Sequence, residues 1–167
     1  MSNPSQEILQ FCKNPKLRER VDEIISNTKC NEDQQLEINN FFESRIVDLY
    51  KSAKAFDVVS SDLGLFEEEL TELESQFRAQ LNYWWIEIQS EWIRLNNLLN
   101  YKIAIKGERD PVLQAKASIC TFLLSPVAQF LDQEELGANL DYLKSLIVRC
   151  QYEGLFKDIT TEEDSNN

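Results

Sequence analysis

Between Asn31 and Phe56 the apolar positions Ile38, Phe42, Ile46, Leu49, Ala53 and Phe56 fall in steps of 4, 4, 3, 4 and 3. Side chains three and four apart share one face of an α-helix, so this spacing predicts an amphipathic helix and not a strand. Its opening is marked as well, because Asn31 followed by Gln34 has the form of a capping box. Upstream, Asn14-Pro15 pairs a capping side chain with a proline at the first helical position. Leu17, Val21, Ile24 and Ile25 then share one face to about Ser26, within a helical N-terminal segment placed at 5–27. VVSSDLG, residues 58–64, supplies the next turn.

The segment after that turn carries a repeat. Phe66, Leu70 and Leu73 recur eleven residues later as Phe77, Leu81 and Trp84, then as Ile88, Trp92 and Leu95, and the series fades at Leu99 and Ile103. Eleven residues make three turns, close to the period of a straight helix or one with slight right-handed supercoil. One long central helix over about residues 62–105 follows, roughly 60 Å at 1.5 Å per residue. Lys106-Gly107 ends it and Asp110-Pro111 opens the next, which carries Leu113, Ala117, Cys120, Leu124, Val127 and Leu131. Ser125-Pro126 interrupts that run, which predicts a kink or a restart capped by Ser125. Gly137 marks a further break, and Asn139 is expected to cap a last helix through Leu140, Leu143, Ile147 and Cys150, ending near Gly154. The pattern therefore predicts an all-α helical bundle of about five helices around one long central helix. A single domain over 1–156 and a disordered acidic tail over 157–167 complete the expectation.

Composition changes this picture in two ways. Only four glycines and four prolines in 167 residues argue against a turn-rich β protein. The formal charge of −12, from 29 acids and 17 bases, disfavours non-specific attraction to nucleic acid or anionic lipid. The four cysteines form no CxxC pair, no secretory segment opens the chain and no run approaches 18 consecutive apolar residues. These point to a reducing, cytoplasmic setting with four free thiols and no membrane association.

The stretch NYWWIEIQSEWIRLNNLL, residues 82–99, raises the question of a site. At 100° per residue, Trp85, Trp92, Leu81, Ile88, Leu95 and Leu99 fall within about 100° of Trp84, so the tryptophans are expected to fill a core. Ile86 and Ile93 lie on the opposite side, and Tyr83, Arg94 and Tyr101 share a third direction. Tyr and Arg are common interface anchors, so Tyr83, Ile86, Ile93, Arg94 and Tyr101 form a candidate partner-binding strip. Its alternative is burial of the same strip by another helix of the chain.

The chemical inventory excludes more than it suggests. With no histidine, the chain lacks Ser-His and Cys-His nucleophilic sites, HExxH metal sites and the Glu-x-x-His motifs of di-iron bundles. No Walker A or GxGxxG sequence occurs, and the cysteine spacings of 18, 90 and 30 do not fit a zinc site. Seven acids between residues 55 and 77 include Asp57 and Glu68 at calcium-loop spacing, but Val59 and Asp62 occupy positions where such a loop needs oxygen and glycine. Acids near a helix start instead oppose its dipole. Five bases between Arg94 and Lys116 make Lys102, Lys106 and Arg109 candidates for a phosphate or acidic partner.

No catalytic, cofactor or metal residues are therefore expected, and no cofactor. The reading is a non-catalytic helical protein–protein interaction module, an adaptor or a subunit of a larger complex, with a protein partner. In size and helical content the chain is similar to the small subunits of CRISPR effector complexes. That likeness implies an alternative, a helical subunit of a nucleic-acid-processing nucleoprotein complex, although the acidity counts against nucleic acid. An acidic inhibitor mimicking nucleic acid is a further alternative. Right-handed pairing of two long helices is compatible with a homodimer.

Overall fold

The computed structural model describes residues 4–61 and 64–131, together with Glu134, Gly137 and Asp141. Five α-helices follow in order: α1 (Pro4–Lys13), α2 (Pro15–Ser26), α3 (Glu32–Ser60), α4 (Glu67–Tyr101) and α5 (Pro111–Ala128). A π-helical segment, Lys102–Lys106, extends α4. The fold is all-α, with α4 as the long central helix; α3 and α5 both pack on α4 and on each other. α1 lies on α3, and α2 contacts α3 and α5. The helix expected over 139–154 and the tail expected over 157–167 lie outside the described residues, apart from Asp141.

Local chemistry sets most of the boundaries. The N-terminal segment divides at Asn14, which is extended (φ −67°, ψ 121°) and accepts a hydrogen bond from the Lys16 N–H at 3.0 Å, with Pro15 opening α2. At α3, Asn31 Oδ1 accepts from the Gln34 N–H at 2.9 Å while the Asn31 N–H donates to Gln34 Oε1 at 3.0 Å, a complete capping box. Gly107 takes the left-handed conformation (φ 64°) that ends the π segment, where a side chain would be strained.

Three boundaries differ from expectation. Val58, Val59 and Ser60 belong to α3 and not to the turn, because nothing before Ser61 removes a donor or demands a left-handed residue. α4 begins at Glu67, where Glu67, Glu68 and Glu69 set three carboxylates against the positive end of its dipole. α5 continues through Pro126 to Ala128 with no restart at Ser125. Pro126 has no N–H to give the Phe122 carbonyl, and the helix runs only two residues past it. α5 also carries one charge in 18 residues at a mean hydropathy of 1.2, long and apolar enough to cross a bilayer, but eight of its residues pack into the core.

The core runs along the middle of α4 and not its ends. Phe77, Leu81, Trp84, Ile88 and Leu95 of the eleven-residue repeat are buried, whereas Phe66 at its start is 74% exposed and Ile103 at its close is exposed. Trp84 Nε1 donates to the Arg45 carbonyl at 3.0 Å, and Trp85 Nε1 donates to the Leu124 carbonyl at 3.1 Å. One indole thus ties α4 to α3 and the other ties it to α5, each filling core while satisfying its only polar atom. Beside them Arg45 makes a two-pronged pair with Glu91, its Nε 3.1 Å from Oε2, and lies 3.9 Å over the Phe41 ring. Burial pushes the thiols of Cys12 and Cys120 up to about 12, so both are protonated at neutral pH.

Asp110 holds the sharp turn between α4 and α5. Its Oδ1 accepts from the N–H groups of Val112 (3.0 Å) and Leu113 (3.3 Å), and its Oδ2 accepts from Lys102 Nζ (3.0 Å). Partial burial pulls this carboxyl upward, but Lys102 and the two backbone donors outweigh it and hold its pKa below the usual value. A depressed folded pKa stabilises the fold above the unfolded carboxylate range, about pH 4, and that contribution fades as the pH falls through the folded value. Asp110→Ala is expected to cost about 1–2 kcal/mol at neutral pH. Urea titrations of both forms at pH 7 and pH 3 check this, with the difference shrinking at the lower pH.

Candidate functional site

The strip expected on α4 does not form one surface. Tyr83 is 69% exposed and Arg94 is exposed, but Ile93 and Tyr101 are each only 4% exposed, and Ile86 is half-buried against the core. Ile93 belongs to the core because helices of the same chain pack on more than one side of α4, so an apolar stripe opposite Trp84 still faces protein. Tyr83 and Tyr101 lie 18 residues apart, five full turns, and point in one direction along the helix. What covers that direction changes along α4, so one ring is in solvent and the other is not.

The three candidate bases are also separated in role. Lys102 is committed to Asp110 at 3.0 Å. Lys106 is exposed in the π segment and lines none of the cavities described below. Arg109, in the loop before α5, is exposed and lines two cavities.

Those cavities outline a groove that apolar patterning passes over. α4 and α5 run antiparallel, since Trp85 meets Leu124 at one end and Lys102 meets Asp110 at the other. A cavity of about 230 Å³ lies between Trp85, Gln89 and Trp92 of α4 and Thr121, Leu124, Ser125 and Ala128 of α5. A second, of about 430 Å³, shares Trp92 and Thr121 with it and continues past Asn96, Asn100, Gln114 and Ser118 to Ile103 and Arg109. A third, of about 480 Å³, shares Arg109 and Gln114 with the second and is closed by Asn27, Thr28 and Lys29 beyond α2. Residues shared from one cavity to the next place the three side by side along α5.

The walls have a regular geometry. On α4 and the π segment that extends it, the lining side chains Trp85, Gln89, Trp92, Asn96, Leu99 and Ile103 are spaced 4, 3, 4, 3 and 4, with Asn100 beside them. On α5 Gln114, Ser118, Thr121, Ser125 and Ala128 are spaced 4, 3, 4 and 3. These steps are those of one helical face turned toward the groove from each side. Three polar members of the walls bond within their own helices. Ser118 donates to the Gln114 carbonyl (3.0 Å), Thr121 to the Ala117 carbonyl (3.1 Å) and Asn96 to the Trp92 carbonyl (2.8 Å). The small residues of α5 allow a close approach.

The described lining of the groove holds no cysteine or carboxylate, and histidine is absent from the chain. Among the described residues no group of three or more His, Cys, Asp or Glu side chains is placed to hold a metal ion. Cys12, Cys30 and Cys120 are free thiols. No protein-family model, curated protein or solved structure matches this chain.

Proposed function

We propose that the protein is a non-catalytic helical interaction module, an adaptor or a subunit of a larger assembly, which takes a helical segment of a protein partner in the α4/α5 groove. The observation that carries the reading is a depression lined from both sides by one helical face, Trp85 to Leu99 of α4 with Ile103 just beyond it, and Gln114 to Ala128 of α5. Two antiparallel helices with such walls present holes into which a third helix inserts its side chains, a recurring mode of helix recognition. Trp92, half-buried at the meeting of two cavities, gives this surface an aromatic anchor on a rigid element, which suits binding more than catalysis.

A tagged pull-down from the native cell extract, with and without nuclease and followed by mass spectrometry, tests the class of partner. Protein partners retained after nuclease at high salt are the expected result. Partners released by nuclease would instead favour a subunit of a nucleoprotein complex, with Arg109 and Lys29 as its phosphate contacts.

A further inference from the structure

The charge of the groove differs from that of the chain. The sequence holds 29 acids in 167 residues, yet no described residue lining the three cavities is Asp or Glu. The charged residues that line them are both basic, Arg109 and Lys29, and both sit at the end away from Ala128. Both are exposed, and among the described residues neither has an ion pair or side-chain hydrogen bond, unlike Lys102 and Lys116, which are paired with Asp110 and Glu37. The opposite end is the most apolar part of the groove, lined by Trp85, Trp92, Leu124 and Ala128. The groove thus runs from apolar to basic along its length.

Resting on the docking reading above, we infer that the partner segment is an amphipathic helix of another protein, aliphatic at one end and carrying carboxylates at the other, which lies with its acids at Arg109 and Lys29. Three physical points favour it over a polyanion. A nucleic-acid footprint needs many bases along its track, and only two are present, at one end. The net charge of −12 repels a polyanion at long range but opposes a few carboxylates weakly. The uncharged amide and hydroxyl walls offer van der Waals contact to a helix and no countercharge to a phosphate chain. From Ala128 back to Asp110 the groove spans about 27 Å, the length of a helix of about 18 residues. Carboxylates there supply an attraction that no side chain among the described residues supplies, and they reject basic competitors.

The test is a selection of random 18-residue peptides displayed on phage against the full chain. Binders are then measured on the full chain, on the exposed-site double variant Arg109→Glu with Lys29→Glu, and on Thr121→Trp, which fills the groove. The expected result is enrichment of peptides with aliphatic residues at helical spacing and Asp or Glu at one end. Their affinity falls roughly tenfold or more on the double variant and is lost on Thr121→Trp. Binders blocked by Thr121→Trp that show no acidic bias and bind the double variant equally would overturn the inferred partner chemistry and leave the groove reading standing. No enrichment, or binders indifferent to Thr121→Trp, would overturn both. Binding that appears only after Glu162→Lys and Glu163→Lys would assign the basic end to the chain's own C-terminal acids and overturn an external acidic helix. Sedimentation showing a dimer that Thr121→Trp dissociates would give the groove to a second copy, with the same consequence.

Discussion

Ile93→Ala is expected to destabilise the protein by about 2–5 kcal/mol, because the lost methyl and methylene groups leave a cavity that rigid neighbours fill only in part. Ile93 is 4% exposed within the core cluster, on the side of α4 away from Trp84. For a domain of this size each kcal/mol moves the midpoint by about 2–4 °C, so a thermal melt should shift by more than about 4 °C. Tyr83→Ala, at a residue 69% exposed, is expected to stay within about 0.5 kcal/mol of the parent. The pair separates core from surface on one helix. Equal, small shifts for both would mean that Ile93 does not carry core packing.

The second large effect is at Trp85. Trp85→Ala should cost about 3–5 kcal/mol, since the indole is buried between α4 and α5. Trp85→Phe keeps most of the apolar contact but removes the donor to the Leu124 carbonyl, and should cost about 1 kcal/mol. That carbonyl lies two residues before Pro126, whose missing N–H already leaves the last turn of α5 with fewer bonds. Denaturant titration of the three forms gives the ordering directly. A Phe variant as damaged as the Ala variant would assign most of the stabilisation to the hydrogen bond and not to packing.

How far these features were legible in the sequence depends on how local their causes are. Asn14-Pro15, the Asn31–Gln34 box, Lys106-Gly107 and Asp110-Pro111 each act through a hydrogen bond or a backbone conformation within four residues, and each marks a real boundary. The length of α4 was legible for the same reason, since its repeat is a property of one helix. Ile93 was not, because a helical wheel gives direction but not the number of neighbours, and α4 is flanked by both α3 and α5. Tyr101 shows the same limit along the axis, being buried where Tyr83 is exposed.

The groove was hidden for a different reason. Gln89, Asn96, Gln114, Ser118 and Thr121 recur at helical spacing but are polar, so a search for apolar periodicity does not register them. The signal was present as the spacing of small and amide side chains. It acquires meaning only when antiparallel pairing brings the two runs together. Arg109 was singled out from local charge, but its separation from Lys102 followed from a pairing eight residues apart across a tight turn.

Thr121→Trp offers the most direct test of the central claim, that the α4/α5 groove is a docking surface and not merely a packing defect. Thr121 is exposed and lines both of the cavities that share Trp92, so the larger side chain should occupy the groove without entering the core. The nuclease-treated pull-down is run on the parent and on this variant, with a thermal melt of each. The expected result is an unchanged melting temperature and loss of the partner proteins held by the parent. Full retention of those partners by a stably folded Thr121→Trp protein would contradict the claim and place the interaction surface elsewhere on the bundle.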